Sequence, residues 1–235
     1  MLRKLLYNTL PLIALAAPSY AATVQVDFNS DQHGPISPTQ SGWLGTDAVG
    51  NGTDGTFSVA TTAIGSGAAI GDRDRLTANG GGAEQNMWQD FLFSNDASTG
   101  TTKGLQITIS GLASNTEYPV TIWGFDIQSS ASAPRVTDWS AAGGGSGTLS
   151  FDPANGLPTS LADYAITFNT TSNASGEIVI TGLPSSSGSS SSHDVFINGL
   201  EIGDAVPEPS SLALFGLSGL IMTSRRARNA AINRG

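Results

Sequence analysis

The sequence predicts an all-β fold: one β-sandwich of jelly-roll type over residues 22–204. Three observations predict it. Short apolar–polar alternations recur along the body, as in Thr23-Val24-Gln25-Val26-Asp27-Phe28 and Leu105-Gln106-Ile107-Thr108-Ile109. Clusters of Gly, Asn, Asp and Ser punctuate them. No body segment carries a long apolar repeat of period 3.6.

In chain order, strands are expected at 23–28, 56–59, 88–93, 105–109, 118–125, 148–151, 164–168, 177–180 and 195–202. Many short strands with turn signals between them point to a sandwich. Two low-complexity stretches, the Gly-rich 141–147 and the Ser-rich 185–192, read as flexible loops. Neither marks a domain boundary, because strands are expected on both sides.

Composition narrows the function classes. Charged residues make up 12% of the chain, about half the usual share. Between residues 22 and 205, 18 Asp and Glu stand against four basic residues, Arg73, Arg75, Lys103 and Arg135. So acidic a body argues against nucleic acid, because phosphate binding needs concentrated Lys and Arg. It is compatible with a structural Ca2+, or simply with solubility. With no cysteine, disulfides and thiolate metal sites are excluded.

Both ends read as targeting segments. Residues 1–21 have the order of a secretory signal: Arg3 and Lys4, a mostly apolar stretch over 5–17, and Ser19-Tyr20-Ala21 before cleavage. At the other end, Val206-Pro207-Glu208-Pro209 precedes an apolar stretch over 210–224. Pro209 and Ser210 suit a helix start. Fifteen helical residues span about 22 Å, a slightly short transmembrane helix. Arg225, Arg226 and Arg228 form a basic stop that would stay cytoplasmic, together with the tail 229–235.

The segment 205–228 closely resembles the PEP-CTERM sorting signal, a tail also labelled the ice-binding protein C-terminal domain. The resemblance implies Sec export, anchoring in the inner membrane, and processing by an exosortase near Pro-Glu-Pro. It further implies delivery to the cell surface or the exopolysaccharide matrix of a Gram-negative bacterium. Within the body, Gly111-Leu112-Ala113-Ser114-Asn115-Thr116-Glu117-Tyr118-Pro119-Val120 resembles the strand-turn-strand of fibronectin type III modules. There a Tyr anchors the corner through its hydroxyl. The ending Phe196-Ile197-Asn198-Gly199-Leu200-Glu201-Ile202 is similar to the last strand of galactose-binding-like jelly rolls.

No catalytic site is legible. The two histidines, His33 and His193, sit in polar, turn-like sequence, and no nucleophile elbow or His-Glu-x-x-His is present. Acidic residues are too numerous for any one pair to identify a glycosidase. Gly65-Ser66-Gly67-Ala68-Ala69-Ile70-Gly71 lacks dinucleotide spacing and a βαβ context.

Candidate ligand-binding residues are therefore few. Sugars stack on exposed aromatic rings while polar groups bond their hydroxyls. Trp43 and Trp139 lie in loop-like sequence and are the aromatic candidates; Trp88 and Trp123 read as core. Asp72-Arg73-Asp74-Arg75 is the densest charge cluster. It is either a site for Ca2+ or sugar hydroxyls, or a salt-bridge knot tying a loop to the sandwich. Asp47, Asn51 and Asp54 add hard oxygen donors in a Gly-rich loop. The reading is a non-enzymatic surface or matrix protein that associates with exopolysaccharide. The alternatives are a structural or adhesion protein with a protein partner and, behind both, a secreted polysaccharide hydrolase.

Overall fold

The structure, a computed structural model, describes residues 23–80, 82–94, 103–128, 134–186 and 195–206. The signal segment 1–21, the motif residues from Pro207 onward, the apolar span 210–224, His193 and most of the Ser-rich stretch lie outside these residues. Among the described residues no helix is long and apolar enough to cross a membrane.

The all-β class holds: the described residues form fourteen strands, one short α-helix and three 3-10 turns. They run β1 (Val24–Asp27), β2 (Leu44–Gly45), β3 (Gly52–Thr53), β4 (Ser58–Ile64) and β5 (Ile70–Asp74). Then come α1 (Gln85–Gln89), β6 (Asp90–Ser94), β7 (Gly104–Ser110), β8 (Glu117–Trp123) and β9 (Arg135–Ala141). The chain continues through β10 (Ser146–Phe151), β11 (Ala165–Thr171), β12 (Glu177–Pro184), β13 (Val195–Ile197) and β14 (Gly199–Ile202).

A single sandwich is not what forms: the strands make three sheets. One has the order β11-β8-β14-β1-β2, a second β10-β9-β12-β7-β4-β3, and a third β13-β6-β5. The first two face each other across the main core. Val26, Tyr118, Ile122 and Leu200 from one meet Leu105, Ile107, Ile109 and Ile180 from the other, all fully buried. Alternation places them there, since β7 and β12 bury every second residue. A smaller aromatic cluster of Met87, Trp88, Phe91, Trp123, Phe125, Phe151 and Phe196 joins the third sheet to this body. Its rings meet in tilted, stacked and edge-on pairs, such as Phe151 against Phe196 at 5.8 Å.

Two further expectations are corrected. Residues 88–93 do not form one strand, because α1 occupies its start and the strand begins at Asp90. A short apolar run cannot by itself separate a helical turn from a strand. The Gly-rich stretch is not a loose loop but the tight turn of the β9–β10 hairpin. The Ala141 amide donates to Gly145 O at 3.1 Å, with Gly144 and Gly145 at positive φ. The tyrosine corner does form: Tyr118 is fully buried and its hydroxyl accepts the Ala113 N–H at 3.0 Å.

The last two strands carry the joint between sheets. β13 pairs with β6 in the third sheet, while β14 pairs with β1 and β8 in the first. Asn198 is the single residue between them. Its backbone still bonds Trp123 O and the Phe28 amide, at 2.9 and 3.1 Å. Its fully buried side chain donates to Trp88 O and Asp90 O and accepts the Phe125 N–H, at 3.1, 2.8 and 2.7 Å. It thereby supplies the ladder bonds that the change of sheet removes.

Candidate functional site

The loop over residues 28–43, between β1 and β2, helps shape an open groove of about 640 Å³. Trp43, Ile36, Asn29, Thr39, Thr46 and Asp54 are among its lining residues. Trp43 follows Gly42 at φ 86°, and its amide closes the turn onto Gln40 O at 3.0 Å. The indole is half-buried, 5.5 Å from the Trp123 ring, and lies against Gly199, where a Cβ would come within 3.0 Å of it. Such support holds the ring in one orientation. Ile36 stays 49% exposed beside it.

The polar rim is pre-set. Asn29 Oδ1 accepts the Thr46 amide and the Thr39 hydroxyl, at 3.0 and 3.2 Å. Asp54 Oδ1 accepts the Thr56 and Phe57 N–H groups, both at 2.8 Å. The Phe57 and Thr56 amides hold its carboxyl below the usual carboxylate range. Asp54 is therefore a firm anion, the one ionisable residue lining the groove. Asp47, named with it from sequence, caps its own turn by accepting the Val49 and Asn51 amides at 3.1 and 2.8 Å.

Of the sequence candidates, Trp43 and Asp54 reach the groove. Trp139 is a correction: it is fully buried, in mid-strand on β9, with its ring across Gly182. The 72–75 cluster is a knot. Asp72 Oδ2 accepts the Ser30 hydroxyl and the Asp31 amide, at 2.5 and 3.1 Å. Arg73 lies over the Phe93 ring at 5.2 Å. Asp74 Oδ1 takes the Leu76 amide at 2.6 Å, and its Oδ2 lies 3.5 Å from His33. Arg75 grips Asp126 through two bonds of 2.9 Å. Asp72, Asp74 and Arg75 thus tie loops to the body while Arg73 lies on β6, and a recess of about 180 Å³ lies beside His33 and Arg75.

Sequence reasoning missed Asp27 and Asp90, both fully buried. Burial raises Asp27 to about 7; burial, then the Asp27 charge, raises Asp90 to about 9. A raised carboxyl is what a hydrolase would need, but a general acid must touch its substrate. These two are sealed from solvent and line neither the groove nor the recess. The signal that could have found Asp90 is a charge set inside the aromatic run Trp88-Gln89-Asp90-Phe91-Leu92-Phe93.

Beyond the body, the described chain ends at Ala205 and Val206, with the Val206 amide bonded to Glu117 O at 2.8 Å. The PEP-CTERM protein-sorting motif model matches residues 205–228. The chain carries a PEP-CTERM tail. That tail makes it an exported protein with a membrane-anchored precursor and supports its recognition and processing by an exosortase. No curated protein matches the chain. Among solved structures it is similar to the ANXUR1 extracellular domain from Arabidopsis thaliana, at 12% identity and TM-score 0.42, covering 78% of this chain and 48% of that one. The plant receptor-like kinase ANX2 gives 13%, 0.43, 78% and 48%. The enzymatically active domain of bacteriophage CBA120 tailspike protein 4 gives 8%, 0.32, 63% and 19%. The PEP-CTERM chain thus spans under half the length of each.

Proposed function

We propose that this protein is a non-enzymatic component of the surface or extracellular matrix of a Gram-negative bacterium, and that it holds exopolysaccharide in the Trp43 groove. The observation that carries this is the supported indole beside a ready-made polar rim. An apolar ring face suits the C–H face of a pyranose, and the exposed Thr39 and Asp54 groups suit its hydroxyls, with the buried Asn29 and Thr46 fixing the rim from behind. The groove has an anion and no cation among its lining residues. It therefore favours neutral or amino sugars over uronic-acid chains. Export through the inner membrane, removal of the tail and release to the matrix bring the groove to such a ligand.

Binding of the purified protein to the host's own exopolysaccharide tests the reading. Saturable binding is expected. Trp43→Ala should weaken it about tenfold, the loss of one good aromatic contact. Asp54→Asn, at an exposed position, should weaken it less and shift preference toward anionic glycans. Thermal melts of both variants separate a lost contact from a lost fold. Binding that is unsaturable, or unchanged in both variants, would sink the groove and favour a structural or adhesion role with a protein partner.

A further inference from the structure

Asp27 closes β1 and Asp90 opens β6, and the loop over residues 29–40 ties them together. The Gln40 amide donates to Asp27 Oδ2 at 2.5 Å, and the Ser37 hydroxyl donates to Asp90 Oδ2. Ser37 is itself locked in place, its Oγ accepting the Ser30 amide at 2.9 Å and its carbonyl accepting Asn29 Nδ2 at 3.2 Å. The second oxygen of each carboxylate, Oδ1, is buried and meets no donor among the described residues. A third carboxylate, Asp74, stands opposite Asp90 in the β5–β6 register and adds to the negative potential there.

Among the described residues no cationic side chain is found acting on Asp27 or Asp90. The groups acting on Asp27 and Asp90 are burial, each other, Asp74 and a few N–H or O–H donors. The ion pairs found among the described residues involve Asp74 and Asp126 instead. Two close carboxylates taken out of water without a counter-charge are strongly unfavourable. The fold nevertheless spends a loop on fixing one oxygen of each and leaves the other bare.

We propose that Asp27 and Asp90 bind one hard divalent cation of the calcium class, which staples β1 to β6 beneath the 29–40 loop. The donor set supports the choice of ion. It is all oxygen, with no imidazole or sulfur, which suits calcium or magnesium rather than zinc or copper. Among the described residues no three His, Cys, Asp or Glu side chains gather at one point. The two carboxylates would thus supply all the charge, and a calcium ion there would have to complete its shell with neutral oxygens. The site is separate from the glycan groove, but the same loop forms the groove's wall, so the ion would also stiffen the Trp43 platform.

The test is calcium binding and thermal melting of the purified full chain at pH 7.5, with calcium chloride or with EDTA. One bound calcium per chain is expected, with a melting temperature higher by roughly 5–10 °C at a hundredfold excess over the Kd. Asp27→Asn and Asp90→Asn should each abolish the rise. No bound calcium and no rise in the wild-type chain overturns the proposal, whether or not the variants fold. The pair would then hold a proton, and its stabilisation would fade as pH rises from about 4 toward 9. Asp90→Asn would in that case melt higher than wild type at pH 8. A calcium response that survives in both variants also overturns it, because the ion would sit elsewhere.

Discussion

Replacing Asn198 by Ala should lower the unfolding free energy by about 4 kcal/mol. The side chain is fully buried at the joint between β13 and β14 and makes three bonds to backbone. Its removal orphans the Phe125 N–H and the Asp90 carbonyl. Trp88 O keeps one donor, Asn79 Nδ2, at 2.9 Å. Each buried group left without a partner costs about 1–3 kcal/mol, and a small cavity adds to that. In a body of this size the melting temperature should fall by about 10 °C. Asn198→Asp should be worse, because it turns two donated bonds into repulsions and adds charge beside Asp90. Urea unfolding checks both variants. A loss of unfolding free energy below about 1 kcal/mol would show that the joint does not depend on Asn198.

Trp139→Ala should cost about 3–5 kcal/mol, the range for emptying a large aromatic site in a packed core. The ring is fully buried and fills the space left by Gly182 on β12, where a Cβ would lie 2.6 Å from it. β9 and β12 are paired across Gly182 and Trp139, so the cavity would open inside the second sheet rather than at its rim. Trp139→Phe should retain most of the stability. The indole Nε1 has no partner among the described residues, so no hydrogen bond to them is lost with it. Stability close to wild type in Trp139→Ala would mean that the residue faces solvent after all.

Trp139 also shows where the sequence stops being legible. The inward face of β9 carries Arg135, Thr137 and Trp139. Two of the three are polar, so the apolar alternation that reveals β7, β8 and β12 is hidden. Arg135 can occupy that face because its guanidinium lies over the Phe196 ring at 4.9 Å, a contact between segments far apart in sequence. The third sheet was invisible for a similar reason. Its strands come from residues 70–74, 90–94 and 195–197, and no local pattern announces that they pair. What could be read was local: the period-two strands, the Tyr118 corner and the Pro-Glu-Pro tail. Trp43 was legible because Gln40-Ser41-Gly42 marks a turn before it. Asp27 and Asp90 were not, since only the topology brings them together.

Delivery outside the cell by a tail that is then removed is the central expectation for this chain. Mass mapping of both termini, on protein recovered from the host's extracellular matrix, addresses this directly. The mature chain is predicted to begin at Ala22 and to lack Arg225, Arg226 and Arg228; loss of the exosortase should leave those arginines in place and the protein in the membrane. Matrix protein that still carries the three arginines, or a chain found only in the cytoplasm, would contradict it.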